Sequence, residues 1–87
     1  MNEDLIKEAE KFIKEVRKIQ KMVYQLAFIA TSEDDEQASK AHEMLKKLVD
    51  DGIVSERMVM KALEDVRRYR LYVLDRVKRR EEQHEAA

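Results

Sequence analysis

The chain of 87 residues contains no cysteine, no proline and no tryptophan, and it contains a single glycine. The lack of cysteine excludes disulfide bonds and thiolate-bound metals. Proline and glycine most often interrupt helices and shape tight turns, so their scarcity favours long, uninterrupted helices. These absences together indicate a small helical domain with few and short connections.

Long apolar runs are also missing from the sequence. No stretch of about 18 consecutive apolar residues occurs, so we predict no transmembrane helix. Residues 1–4 are acidic and lack the basic start and apolar segment of a secretory signal peptide. The default expectation is therefore a soluble, cytoplasmic chain.

Charge does not indicate disorder here. Charged residues make up 43% of the chain and hydrophobic residues 44%, while the net charge is only −1. Disordered chains combine low hydrophobicity with high net charge. Because the apolar residues here are plentiful and recur with helical spacing, the sequence predicts a folded domain.

The first predicted helix covers about residues 3–31, with Asn2 as its N-cap. Apolar residues recur along it at alternating spacings of four and three, which is the heptad pattern of coiled-coil-like packing. Ile6, Ile13 and Ala27 widen this seam on one flank. The seam consists of Leu5, Ala9, Phe12, Val16, Ile19, Val23, Leu26 and Ala30.

Two shorter signals separate the remaining helices. Ser32 followed by Asp35 resembles a capping box and predicts a second helix over about 33–50. Gly52 fits the left-handed position just beyond a helix, and Ser55 fits the N-cap of a third helix over about 55–83. We expect residues 84–87 to be a frayed tail. The predicted core stripe of helix 3 is Val59, Ala62, Leu63, Val66, Tyr69, Val73 and Val77.

The predicted fold class is all-α, as one domain over residues 1–87. Connections of a few residues make consecutive helices antiparallel neighbours, so we expect an up-down-up three-helix bundle. Helices 1 and 3 are long and helix 2 is short, which leaves parts of both long helices without neighbours. The overhanging apolar residues would be Leu5, Ile6 and Phe12 on helix 1, with Val73, Leu74 and Val77 on helix 3.

The end of helix 1, residues 22–30, is apolar on every side. One interpretation is that helices 2 and 3 cover this segment completely, so that all of its side chains belong to the core. The other is that part of it forms a partner-binding face, with Tyr24, Gln25, Phe28 and Ile29 as the candidates. Aromatic residues are enriched at the centres of protein interfaces, which favours the second interpretation.

Helix 3 offers four further candidates for partner binding, namely Met60, Arg67, Leu71 and Tyr72. These residues lie on different flanks of the helix, so they cannot all belong to one patch. Arg70 lies close to the middle of the core stripe. It could extend its guanidinium past the edge of the bundle, or it could pair with an acid across the bundle or an interface.

Other functions are disfavoured. The segment 67–80 holds seven basic residues and one acid, but these residues are scattered around the helix, so nucleic-acid binding is not the preferred interpretation. The turn at Gly52 only faintly matches a helix-turn-helix module. His42 and His84 lack metal-ligand spacing, and two of the four serine and threonine hydroxyls occupy predicted caps. We predict no enzymatic activity, no cofactor, no metal, no membrane insertion and no small-molecule ligand.

The combination of capped helix starts, a glycine C-cap, charged outer faces and no proline resembles computationally designed three-helix bundles, in particular designed miniprotein binders. This resemblance implies a helical face built to contact a target protein, with no cofactor and no turnover. We therefore predict a protein-binding module. The alternative is a self-associating structural bundle, a homodimer or larger, that uses the same face.

Overall fold

The computed structural model describes residues 2–85, and the side chains within residues 3–83. It contains three helices: α1, Asn2–Ala30; α2, Asp35–Asp50; and α3, Glu56–Glu85. The predicted all-α fold with two long helices and a short second one is confirmed. Helix α3 continues two residues beyond its predicted end. Residues 86 and 87 of the predicted tail lie outside the described residues.

Helix α1 is the central element, because it packs against both α2 and α3. The core lies along the second half of α1, and its residues are mostly small or medium aliphatic side chains. Ile19, Met22, Leu48, Val49 and Met58 are partly buried around it. The buried core consists of Val23, Leu26, Ala27, Ala30, Ala41, Leu45, Val54, Val59, Ala62, Leu63 and Val66.

The turn between α1 and α2 differs from the predicted capping box. The hydroxyl of Ser32 donates to the carbonyl of Ile29 at 2.6 Å and so closes α1 instead of starting α2. The N-cap of α2 is Asp34, whose carboxylate accepts a hydrogen bond from the backbone N–H of Gln37 at 3.2 Å. An ionised aspartate also favours the positive end of the helix dipole, so it is the better cap at this position.

The turn between α2 and α3 has the predicted chemistry. Gly52 has a φ of 73°. Its N–H donates to the carbonyl of Val49, and the N–H of Ile53 donates to the carbonyl of Leu48, both at 3.0 Å. This is the double hydrogen-bond pattern of a Schellman C-cap. The N–H of Met58 then donates to the hydroxyl of Ser55 at 3.1 Å, which confirms Ser55 as the N-cap of α3.

Helices α1 and α3 run in the same direction with a large stagger. The pairs Tyr24–Asp65 and Phe28–Arg70 are separated by 41 and 42 residues, so these numbers define the register. The start of α3 at Glu56 is therefore level with about residue 15 of α1, and the end of α1 at Ala30 is level with about residue 71 of α3. The molecule is 66 Å long, although a helix of 30 residues spans only about 45 Å.

Two overhangs follow from this stagger, at opposite ends of the molecule. We call residues 3–14 the N-terminal overhang and residues 72–83 the C-terminal overhang. The apolar residues that were predicted to overhang are exposed, with Leu5 and Phe12 each at 68%. The heptad seam of α1 is therefore buried only along its second half, and the predicted core positions Val73 and Val77 of α3 are exposed as well.

Replacing Gly52 by alanine should lower the free energy of unfolding by about 1 kcal/mol. A Cβ at this position would meet no atom within 4 Å, so the loss would come from the positive φ alone. Gly52→Asn should lose less, because asparagine tolerates this region. Urea denaturation of the three proteins measures the differences, and an unchanged stability for Gly52→Ala would contradict the assigned backbone conformation.

Candidate functional site

An open groove runs between α1 and α3 along the last turns of α1. Its residues come only from these two helices, and none belongs to α2. We call it the aromatic groove, because Tyr24, Phe28 and Tyr69 keep 37%, 49% and 59% of their surface exposed. It is lined by Lys21, Tyr24, Gln25, Phe28, Asp65, Val66 and Tyr69.

Helical periodicity explains why these side chains meet. Tyr24 and Phe28 are four residues apart on α1, as are Asp65 and Tyr69 on α3, so each pair forms a ridge along one flank of its helix. The parallel register places the two ridges opposite each other. The groove continues into a second depression that shares Phe28 and Tyr69 and extends to Leu74. From Asp65 to Leu74 it follows nine residue steps of α3, about 14 Å.

A hydrogen bond links the two sides of the aromatic groove. The hydroxyl of Tyr24 donates to Oδ2 of Asp65 at 2.6 Å. This hydrogen bond, with smaller contributions from partial burial and from the charge of Asp65, raises the pKa of Tyr24 above 10. The phenol is therefore a neutral donor at physiological pH, and it holds the Tyr24 ring in a defined orientation within the groove.

Arg70 lies beside Phe28, where the aromatic groove passes into the second depression. Its guanidinium lies 4.3 Å from the centre of the Phe28 ring and donates to the Phe28 carbonyl at 2.5 Å. That carbonyl belongs to the last turn of α1, which contains no basic residue of its own. Arg70 thus supplies a positive charge at the negative end of the α1 dipole. Neither sequence hypothesis for Arg70 described this arrangement, because its hydrogen-bond partner is a backbone carbonyl and not an acid or solvent.

The structure separates the eight predicted partner-binding residues into several places. Tyr24, Gln25 and Phe28 lie together in the aromatic groove. Ile29 is five residues from Tyr24, which places it about 140° around α1 on the flank away from α3. Met60 lies beside His42 and Val49 in a groove between α2 and α3.

The other three predicted residues are also outside the aromatic groove. Arg67 and Leu71 lie with Ala30 on the opposite flank of α3. Tyr72 faces away from the bundle on the C-terminal overhang. There Arg76 lies 5.7 Å from the centre of the Tyr72 ring and donates to its hydroxyl at 3.4 Å.

Tyr69 and Asp65 were missed as groove residues. The sequence pattern predicts Tyr69 in the core stripe of α3. Its side chain is exposed instead, because α1 ends near the level of Tyr69 and no other helix covers it. The stagger of the two long helices was the available signal for Tyr69. No sequence signal identified Asp65, because its partner Tyr24 is 41 residues away and the pairing depends on tertiary register.

Neither metal-binding clusters nor membrane-spanning helices are found in the part of the chain that the structure describes. Within residues 2–85, no three His, Cys, Asp or Glu side chains come together in an arrangement that could hold a metal ion. None of these helices is long and apolar enough to cross a membrane. Comparison of the chain with known protein families, curated proteins and solved structures finds no match.

Replacing Arg70 by methionine should lower the free energy of unfolding by about 1–2 kcal/mol. The change keeps an unbranched side chain with an apolar stem. It removes the charged hydrogen-bond donor from the end of α1 and the cation–π contact with Phe28. Arg68→Met is the matched control, because Arg68 makes an exposed pair with Glu64 and its loss should cost at most about 0.5 kcal/mol. Equal losses for the two variants in urea denaturation would show that Arg70 has no capping role.

Replacing Tyr24 by phenylalanine should lower stability by about 0.5–1 kcal/mol at neutral pH, because the hydrogen bond to Asp65 is lost. A raised pKa of Tyr24 in the folded state means that its contribution is fully present below pH 10 and disappears as the pH rises through the folded pKa. The difference between wild type and Tyr24→Phe should therefore stay constant up to about pH 10 and shrink as the pH rises further. Tyr72→Phe is the control, and a pH-independent difference for Tyr24→Phe would exclude the proposed linkage.

Proposed function

We propose that this chain is a non-enzymatic protein-binding module whose aromatic groove receives an amphipathic helix of a partner protein. The supporting observation is that Tyr24, Phe28 and Tyr69 converge in one groove of the bundle while remaining partly exposed. Large aromatic side chains left open on a small domain are characteristic of interaction surfaces.

The shape of the groove favours a helix as the ligand. Its walls are two parallel helices, and α2 does not contribute to it. A further helix laid between α1 and α3 would complete a four-helix arrangement, with apolar side chains at spacings of three and four residues pointing into the groove. The length of about 14 Å accommodates two to three helical turns.

The groove also has the composition of an interface with an apolar centre and a polar rim. Phe28 and Tyr69 each leave on the order of 100 Å² for a partner to cover, equivalent to about 2.5 kcal/mol per ring. Lys21, Gln25 and Asp65 lie beside them and can exchange hydrogen bonds with polar residues at the edge of a docked helix. The bond between Tyr24 and Asp65 reduces the ordering cost of binding, because it orients one ring in advance.

A displayed library of amphipathic helical peptides, selected on the wild-type chain, tests the proposal. Enriched peptides should carry apolar residues at spacings of three, four and seven. The variant Tyr24→Lys with Phe28→Glu should bind them at least about 30-fold more weakly, since each lost aromatic anchor is worth on the order of 2 kcal/mol. This pair of changes leaves the net charge unaltered. The new lysine lies near Asp65 and the new glutamate near Arg70, so each introduced charge has an opposite charge beside it.

The matched control is Met44→Lys with Met60→Glu, which introduces the same two charged residues at exposed apolar positions outside the groove. This control variant should bind the selected peptides as tightly as the wild type. The proposal fails if no helical peptide is enriched, or if the groove variant binds as well as the control while both keep the wild-type circular dichroism spectrum. Sedimentation of the wild-type chain and of the groove variant distinguishes the proposal from the homodimer alternative. A homodimer through the groove requires that the wild type self-associate and that the groove variant lose this self-association.

A further inference from the structure

We infer that further copies of this chain cover the two overhangs, one copy on each, in an open head-to-tail arrangement. The N-terminal overhang of one copy would lie beside the C-terminal overhang of the next. This inference does not rest on the proposed function. The two surfaces adjoin at Val73 and Leu74, which line the second depression, but the residues that define the aromatic groove take no part in the contact.

Both overhangs carry an apolar stripe that continues the buried core of their own helix. On α1, Leu5 and Phe12 lie on the same face as the buried Val23 and Ala30. On α3, Val73 and Val77 lie on the same face as Val59 and Val66 in the same way. Each stripe therefore faces the line along which the other long helix would run if it were longer. A second copy that supplies the missing helix would repeat the α1–α3 contact already made inside the molecule.

The two overhangs match in length and end at opposite poles of the molecule. Each spans twelve residues, about 18 Å. If two copies point in the same direction, their bodies lie beyond opposite ends of the paired overhangs and do not collide. An inverted second copy would place its body on the space occupied by α2 and α3 of the first. The geometry therefore favours parallel pairing.

The charge pattern selects the same orientation. Residues 3–10 of α1 contain four acids and one lysine, whereas residues 76–80 of α3 contain four bases. A parallel offset of about 70 residues, which places the end of one α3 just before the start of the next, brings Glu8 level with Lys78 and Glu10 level with Arg80. In an antiparallel pairing over the same span, Lys7 would be level with Arg80 and Lys11 with Arg76. Like charges at those levels oppose that arrangement.

The contact should be weak and concentration-dependent. Two helical segments of about 18 Å bury less surface than stable complexes usually do, so we expect dissociation constants in the micromolar range or weaker. An isolated helical extension of twelve residues is marginal in water, so packing against a second copy would also consolidate the overhangs. Because both ends of each copy remain available, the assembly would grow without closing.

Complementary variants test the arrangement. The N-terminal variant carries Leu5→Gln with Phe12→Gln, and the C-terminal variant carries Val73→Gln with Val77→Gln. All four side chains are exposed in the single chain, so both variants should keep the wild-type fold, and glutamine leaves the net charge unchanged. Sedimentation up to about 1 mM should show wild-type masses that rise with concentration beyond a dimer. Each variant alone should stay at the 10.4 kDa of one chain.

The decisive sample is the equimolar mixture of the two variants. One variant retains the N-terminal overhang and the other retains the C-terminal overhang, so the mixture should form a dimer of twice 10.4 kDa and no larger species. The variant Tyr24→Lys with Phe28→Glu should self-associate like the wild type, which distinguishes this surface from the aromatic groove. A monomeric wild type, a mixture that stays monomeric, or a single variant that dimerises alone through like-with-like pairing would each overturn the inference.

Discussion

The parallel register of α1 and α3 is the constraint on which the rest of this structure depends. It follows from the length of α2, whose 16 residues span about 24 Å and therefore return the chain only partway along α1. Helix α3 then starts level with about residue 15 of α1 and runs past its end. The pairs Tyr24–Asp65 and Phe28–Arg70 hold the two helices at this offset.

This register has two separate consequences for the surface. Where α1 and α3 overlap, side chains from one flank of each helix meet and form the aromatic groove on the side that α2 does not cover. Where they do not overlap, each helix continues its core stripe into solvent. The proposed binding of a partner helix belongs to the first region and the proposed association of copies to the second. The residues that define the aromatic groove differ from the apolar stripes of the overhangs, although the two surfaces adjoin at Val73 and Leu74.

The register also explains the unusual position of Arg70. An arginine within an apolar stripe would be costly to bury without hydrogen-bond partners. At the level where α1 ends, however, the stripe of α3 meets the Phe28 carbonyl in the last turn of α1 and the face of the Phe28 ring. The same side chain thus supplies a positive charge at the C-terminal end of α1 and lies where the aromatic groove passes into the second depression. A position one turn earlier would have placed it against the apolar core.

Sequence reasoning correctly predicted the three helices, the caps at Gly52 and Ser55, and the exposure of the overhangs, because these depend on short-range periodicity, backbone conformation and helix lengths. It chose the wrong cap at the start of α2, where Ser32 and Asp34 both offered suitable oxygens and the closing turn of α1 used the serine. The fate of Tyr69 and the partners of Tyr24 and Arg70 were decided only by the tertiary structure. The physical reason is that burial and pairing depend on which residues of a distant helix lie at the same level, and a pattern within one helix contains no information about that offset.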